Sequence, residues 1–231
     1  MQSGPDTEDR QGHGTHVAGT AAGAVHGVAR KAILHPVKVM GDDGSGSYSA
    51  IIDGMAWVRN HVAARKWRAV VTMSLGGPVS QSLNDASAQL IVAGIPVVTS
   101  AGNRYGGDAC AQSPASVEGA TAVGATTLQD TLATYSNIGS CVDTFAPGTN
   151  ILSAGITSDT AEALMSGTSM AAPHVAGALA LILQGLPLGA PTRAAVDALN
   201  AAAAPIVFSS SSPPRLVQVQ WLDPRVQAAS G

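Results

Sequence analysis

The stretch Gly167-Thr168-Ser169-Met170-Ala171-Ala172-Pro173-His174, followed by the apolar run Val175 to Leu183, decides how this chain is read. A glycine and a group of small residues deliver a serine to the mouth of a buried helix. There the first backbone N–H groups have no helical acceptor, and the positive end of the helix dipole favours negative charge. Taken alone, the string has a second reading, because Ser and Thr are ordinary helix caps and could simply open a core helix.

Two further stretches lie upstream in a fixed order. One is Gly12-His13-Gly14-Thr15-His16-Val17-Ala18-Gly19-Thr20, the other Ser100-Ala101-Gly102-Asn103. Between and beyond them stand Gly44-Ser45-Gly46-Ser47-Tyr48, Ser74-Leu75-Gly76-Gly77, Tyr135-Ser136-Asn137 and Phe145-Ala146-Pro147-Gly148. In this combination and order the chain resembles the subtilisin-like serine proteases (peptidase S8), nearest to the proteinase K branch, from about Gly12 to about Leu222.

The resemblance implies a serine endopeptidase. Peptide hydrolysis needs a nucleophile, a base to take its proton, and donors aimed at the oxyanion. By likeness Ser169 is the nucleophile and His13 the base. Asn103, with the Ser169 backbone N–H, would hold the oxyanion. His16 and His174 are then structural, and His26, His35 and His61 carry no motif. Zinc is disfavoured, since a His13/His16 pair has no third ligand nearby and no HEXXH string occurs.

Substrate would lie extended between Gly44-Ser45-Gly46 and Ser74-Leu75-Gly76, as an added strand. The pocket bordered by Ser100, Ala101 and Gly102, with Tyr48 on its rim, would take an apolar or aromatic side chain before the cut, giving broad specificity. No cofactor is needed for the chemistry. The likeness also implies a structural calcium at Asp143, joined by the carbonyls of Glu118 and Ala120. Peptide or protein substrates are the implied partners, together with an inhibitory pro-domain outside this chain, and the implied state is a secreted monomer.

The pattern breaks at one point. The family's triad aspartate, in a DTG or DSG setting, normally precedes the histidine by about 30 residues. Only Asp6 and Asp9 stand near His13 here, and neither follows an apolar strand. The chain therefore reads as a domain lacking the N-terminal segment that carries its first strand and that aspartate. Loss of the aspartate alone lowers kcat by roughly 3 × 10⁴-fold in subtilisin. The alternative function is a catalytically impaired remnant, a pseudoprotease that binds peptides.

Composition fits this frame. The 231 residues suffice for one sizeable core, residues 1–231 forming a single domain. Apolar residues make up 45% but aromatics only 3%, so small side chains must build the core. Charged residues are 12% and the net charge is -3, with no basic run to neutralise phosphates, which argues against nucleic acid. The run from Val175 to Leu183 is far short of the ~20 residues that cross a bilayer, and no signal peptide opens the chain. Cys110 and Cys141 could be free thiols or a bridge. Family likeness implies the bridge, which suits an extracellular compartment.

The elements alternate. A helix is predicted from His13, a strand over 32–40 with a bulge or edge at Pro36, and a helix over 51–63. A strand over 69–75, a helix over 81–92 and a strand over 95–99 follow. Next come strands over 121–126 and 142–145, the Ser169 helix, a helix over 192–203, a loop over 209–214 and a strand over 215–222. Such alternation predicts an α/β three-layer sandwich on a mostly parallel central sheet, with active residues at strand carboxyl ends, and the family likeness implies that its first strand is missing. The family likeness, in which some bacterial relatives link the two places by cysteines, implies an exposed Arg10–Asp42 salt bridge worth ~0 to 1 kcal/mol.

Overall fold

A computed structural model of the chain describes residues 8–187, 190–205 and 215–217. In order, the elements are α1 (His13–Ala22), α2 (Tyr48–Arg65), β1 (Val71–Met73), β2 (Gly77–Pro78), α3 (Gln81–Val92), β3 (Val97–Ser100), a 3-10 turn (Ala109–Ala111) and β4 (Gln112–Ser113). They continue with β5 (Thr121–Thr126), β6 (Thr144–Pro147), β7 (Ile151–Ala154), β8 (Glu162–Met165), α4 (Thr168–Gly185), α5 (Thr192–Ala202), β9 (Ala204–Pro205) and β10 (Arg215–Leu216). The expected loop over 209–214, the rest of the terminal strand beyond residue 217, and Asp6 lie outside the described residues.

A six-stranded sheet in the order β1-β3-β5-β6-β10-β9 forms the centre, parallel throughout except where β9 joins β10. Helices cover both faces, as a parallel sheet requires. Residues of β3 alternate between the two covers. Val97 packs with Ile51, Met55, Leu83 and Leu90 from α2 and α3, whereas Val98 joins Ala172, Val175 and Leu179 of α4. All six residues of β5 are buried, so this central strand reads as a continuous small-residue run. The α/β layering is the one anticipated from the sequence.

Helix starts follow from local chemistry. The Ser47 and Ser80 hydroxyls accept from Ala50 N–H and Leu83 N–H, capping α2 and α3. Asp9 caps α1 in a wider loop. Its Oδ1 accepts from the Gln11 and Gly12 N–H groups, and its Oδ2 from the Thr15 N–H and hydroxyl.

α1 lies against α4 at a close crossing. Gly177 makes the approach possible, since a Cβ there would stand 2.6 Å from Val28 Cβ and 2.8 Å from the Ala21 carbonyl oxygen. On its other side α1 meets the β7–β8 hairpin, which the sequence did not announce. The buried His16 ring donates from Nε2 towards the carbonyls of Ile151 (2.9 Å) and Ala163 (3.1 Å), one on each strand. His16 is thus a structural histidine.

One expected strand does not form. Residues 33–39 run as irregular chain without a ladder. A strand is a pairing, and β1 pairs only on its β3 side among the described residues. Pro36 also lacks an N–H to offer. The segment packs instead through Val37 and Val39 near Gly54 of α2. Cys110 and Cys141 are joined in a disulfide across a sequence separation of 31. Arg10 and Asp42 pair at 3.2 Å, both half exposed.

Candidate functional site

Two neighbouring strands end at the same edge of the sheet and deliver the loops of interest. β1 runs into Ser74-Leu75-Gly76, and β3 into Ala101-Gly102-Asn103. This is the carboxyl end of a parallel sheet, where ligand sites collect. The first turn of α4 lies against both loops.

Its anchoring begins with a proline. Pro173 sits inside α4 and has no N–H, so the Ser169 carbonyl lacks its usual helical donor. Ser74 takes the vacant role, its hydroxyl donating to that carbonyl at 2.8 Å. The Ser169 hydroxyl in turn makes a long 3.4 Å contact to the Ser74 carbonyl. The side chain of Ser169 is half-buried.

Asn103 meets the same turn. Its Oδ1 accepts from Thr168 N–H at 2.9 Å and from the Thr168 hydroxyl at 3.0 Å. The Thr168 hydroxyl also accepts from Gly102 N–H at 3.1 Å. With Oδ1 committed to protein donors, the Nδ2 group is the end of the amide left for a ligand. Asn103 itself is exposed.

His13 is the first residue of α1, the helix that packs against α4. Burial pushes its imidazole below the ordinary value and the neighbouring His16 adds to this, while Asp9 opposes it. The ring is thus neutral near pH 7, as a proton acceptor must be. No hydrogen bond joins it to Ser169 among the described residues. Asp9 does not orient it either, because both carboxylate oxygens are spent on the α1 terminus. Burial pushes the Asp9 carboxyl up, but hydrogen bonds from Gly12, Thr15 and Gln11 outweigh this and hold it below the usual range.

His174 lies one turn past Ser169, with Nδ1 donating to the Met170 carbonyl at 2.8 Å and burial holding its pKa down. That is a structural role. His26 pairs with Glu162 at 2.7 Å, and His35 and His61 stack into a surface group with Trp57 and Trp67.

The Gly44-Ser45-Gly46 stretch forms an exposed turn in which Ser45 N–H and hydroxyl both donate to Asp43. Tyr48 connects it to the opposite loop. From the first residue of α2 its hydroxyl donates to the Pro78 carbonyl at 2.7 Å, just beyond Ser74-Leu75-Gly76. Ser100, Ala101 and Gly102 continue β3, the first two buried. Gly102 adopts φ +99, a left-handed conformation that favours glycine.

Asp143 stands apart, at the start of β6. Its Oδ2 accepts from Ala122 N–H at 2.8 Å, and burial raises its carboxyl above the usual range. Glu118 and Ala120 precede β5 nearby in sequence. No group of three or more His, Cys, Asp or Glu side chains able to hold a metal occurs among the described residues.

The subtilase (peptidase S8) family model matches residues 2–215. An extracellular serine proteinase of Thermus sp. (strain Rt41A) is 51% identical over 193 residues, covering 83% of this chain and 46% of that protein. Proteinase T of Parengyodontium album is 50% identical over 176 residues, covering 75% of this chain and 59% of that protein. The crystal structure of a cold adapted subtilisin-like serine proteinase superposes with a TM-score of 0.86 at 40% identity, covering 92% of this chain and 76% of the other. The chain spans about half the length of the two relatives matched by sequence.

Proposed function

Because the chain belongs to the subtilase family, we propose that it hydrolyses peptide bonds as a serine endopeptidase, with Ser169 as nucleophile, His13 as base and Asn103 as oxyanion donor. Ser169 Oγ attacks the scissile carbonyl while the neutral His13 ring takes its proton. The carbonyl oxygen, now negative, is held by Asn103 Nδ2–H and the Ser169 N–H. Collapse expels the amine, which receives the proton from His13. Water then attacks the acyl-enzyme by the same route in reverse order of roles, releasing the acid and restoring Ser169.

The observation that carries this reading is the double grip of Thr168 on Asn103 Oδ1. It leaves the donor end of the amide uncommitted beside the first turn of α4. Substrate backbone is taken up between residues 44–46 and 74–76, which Tyr48 braces through Pro78. Backbone pairing is sequence-tolerant, so selectivity falls to the pocket beside Ser100, Ala101 and Gly102, which suits an apolar or aromatic side chain.

The proposal extends to a structural calcium at Asp143 with the carbonyls of Glu118 and Ala120. Burial raises the partly buried Asp143 carboxyl although Ala122 N–H, Arg215 and Arg193 favour its charged form, and a cation bound beside it would favour that form further. Water would complete the six to eight oxygens calcium requires. Secretion is proposed as well, in keeping with the Thermus relative named as extracellular and with the Cys110–Cys141 disulfide. No helix among the described residues is long and apolar enough to cross a membrane. Peptide substrates, an inhibitory pro-domain and a monomeric state belong to the same proposal.

A second reading, peptide binding without turnover, draws on one observation. Among the described residues no carboxylate hydrogen-bonds to the His13 ring, and none of the hydrogen bonds there joins that ring to Ser169. Labelling with a fluorophosphonate separates the two. Modification of the folded chain that disappears in Ser169→Ala supports the hydrolase; a folded chain that binds peptide without labelling supports the second reading.

A further inference from the structure

Asn137 is fully buried and lies on a loop that carries none of the reacting groups. Its backbone N–H donates to the Gly102 carbonyl at 2.8 Å. The side chain reaches both ways along the facing loop, Nδ2 donating to the Ala101 carbonyl at 2.9 Å and Oδ1 accepting from Arg104 N–H at 2.8 Å. Three bonds from one residue therefore fix the residues on either side of Asn103. Asn137 is itself held, because the Ser136 hydroxyl donates to its carbonyl and accepts from Ala125 N–H of β5.

We propose that Asn137 is the positioning residue of the oxyanion site, holding the 101–104 loop so that the Asn103 amide faces the carbonyl under attack; this rests on the catalytic reading of Ser169, His13 and Asn103. The chemistry calls for this side chain. A carboxylate would set an acceptor against the Ala101 carbonyl, and an aliphatic residue would leave a buried donor and a buried acceptor unpaired. Contact is close as well: a Cβ on Gly102 would stand 2.6 Å from Asn137 Nδ2. Thr168 then orients the Asn103 side chain while Asn137 sets the backbone from which it springs.

The far half of the loop has its own supports. Tyr105 N–H donates to the Tyr135 carbonyl, Gly106 N–H to that of Ser136, and Ile138 N–H to that of Gly107. Removing the Asn137 side chain thus leaves the 105–107 half anchored and the Gly102 carbonyl still bound to the Asn137 N–H, but takes away the two bonds, at Ala101 and Arg104, that bracket Asn103.

The test is a four-protein cycle of the parent, Asn137→Ala, Asn103→Ala and the double variant. It reads the rate of Ser169 labelling by a fluorophosphonate, together with kcat and KM on a chromogenic peptide anilide. Asn137→Ala should slow labelling and kcat by about ten-fold or more with KM changed less than ~3-fold, and should add less than ~2-fold on top of Asn103→Ala. An equal loss in both backgrounds, a loss confined to KM, or no loss overturns the inference. Unchanged rates in Asn103→Ala overturn the oxyanion assignment, and no Ser169-dependent labelling in the folded parent overturns the catalytic reading, the inference falling with either. Asn137→Asp keeps the volume and the Arg104 bond while losing the donation to Ala101. It replaces Asn137→Ala in the cycle if that variant lacks a native melting transition.

Discussion

The Ser74 hydroxyl donates to the Ser169 carbonyl at 2.8 Å, the carbonyl that Pro173 leaves without a helical partner. A residue at the end of one strand thereby completes the first turn of a helix 95 positions away. Ser74→Ala leaves that carbonyl unpaired in a partly buried place, at a cost of about 1 to 3 kcal/mol. Urea unfolding of the two proteins should show this loss with an unchanged slope.

The His13 imidazole titrates below its ordinary value because burial and His16 disfavour its charge. In the proposed role of base it must be neutral, so activity should be full above its pKa and fall as pH drops through it. The acid limb of labelling rate against pH should have its midpoint below the usual histidine value of 6.5. A midpoint at or above 6.5 would show that His13 gains a negative partner in the working enzyme.

If Asn103 is the proposed oxyanion donor, Asn103→Ala should lower kcat by about 10²- to 10³-fold, the magnitude established for subtilisin, with little change in KM. Steady-state kinetics on a peptide substrate measure both.

Asp143 carries a raised carboxyl pKa, so its contribution to stability is full at low pH and is lost as pH rises through the folded value. Calcium should offset that loss. Thermal melting at pH 7 is expected to shift upward with calcium and downward with chelator, and Asp143→Asn should abolish the difference while keeping an acceptor for Ala122 N–H. Melting curves indifferent to calcium would remove the site.

Arg10 and Asp42 pair in the open, with 49% and 43% of their side chains exposed, and Lys38 holds Asp42 from the other side. Arg10→Ala should therefore change unfolding free energy by less than ~1 kcal/mol.

The sequence was most legible where local chemistry decides. α3 occupies the anticipated span because Ser80 caps it and its apolar residues recur at helical spacing. β5 was equally plain as a buried run of small and branched residues. Segment 32–40 misled because its Val37 and Val39 look like a strand, yet a ladder depends on a neighbouring edge that no local pattern encodes. β7 and β8 escaped notice for the opposite reason, four residues each with Leu152 and Leu164 exposed.

In the site, His13, Asn103 and Ser169 were marked by strings of neighbours. The role of Asn137 was not, although its Tyr-Ser-Asn string was noticed. It acts on backbone atoms 33 and 36 positions away, and backbone partners leave no trace in residue type.

Gly177 lies eight residues along α4 from Ser169, roughly 12 Å down its axis. Since the last turn of α1 rests on that glycine and its first residue is His13, the spacing of the two helices is written by a hydrogen where other residues carry a methyl. Widening it by a single carbon would force the two helices apart, with every atom of the Ser169 turn still present and nothing there to betray the cause.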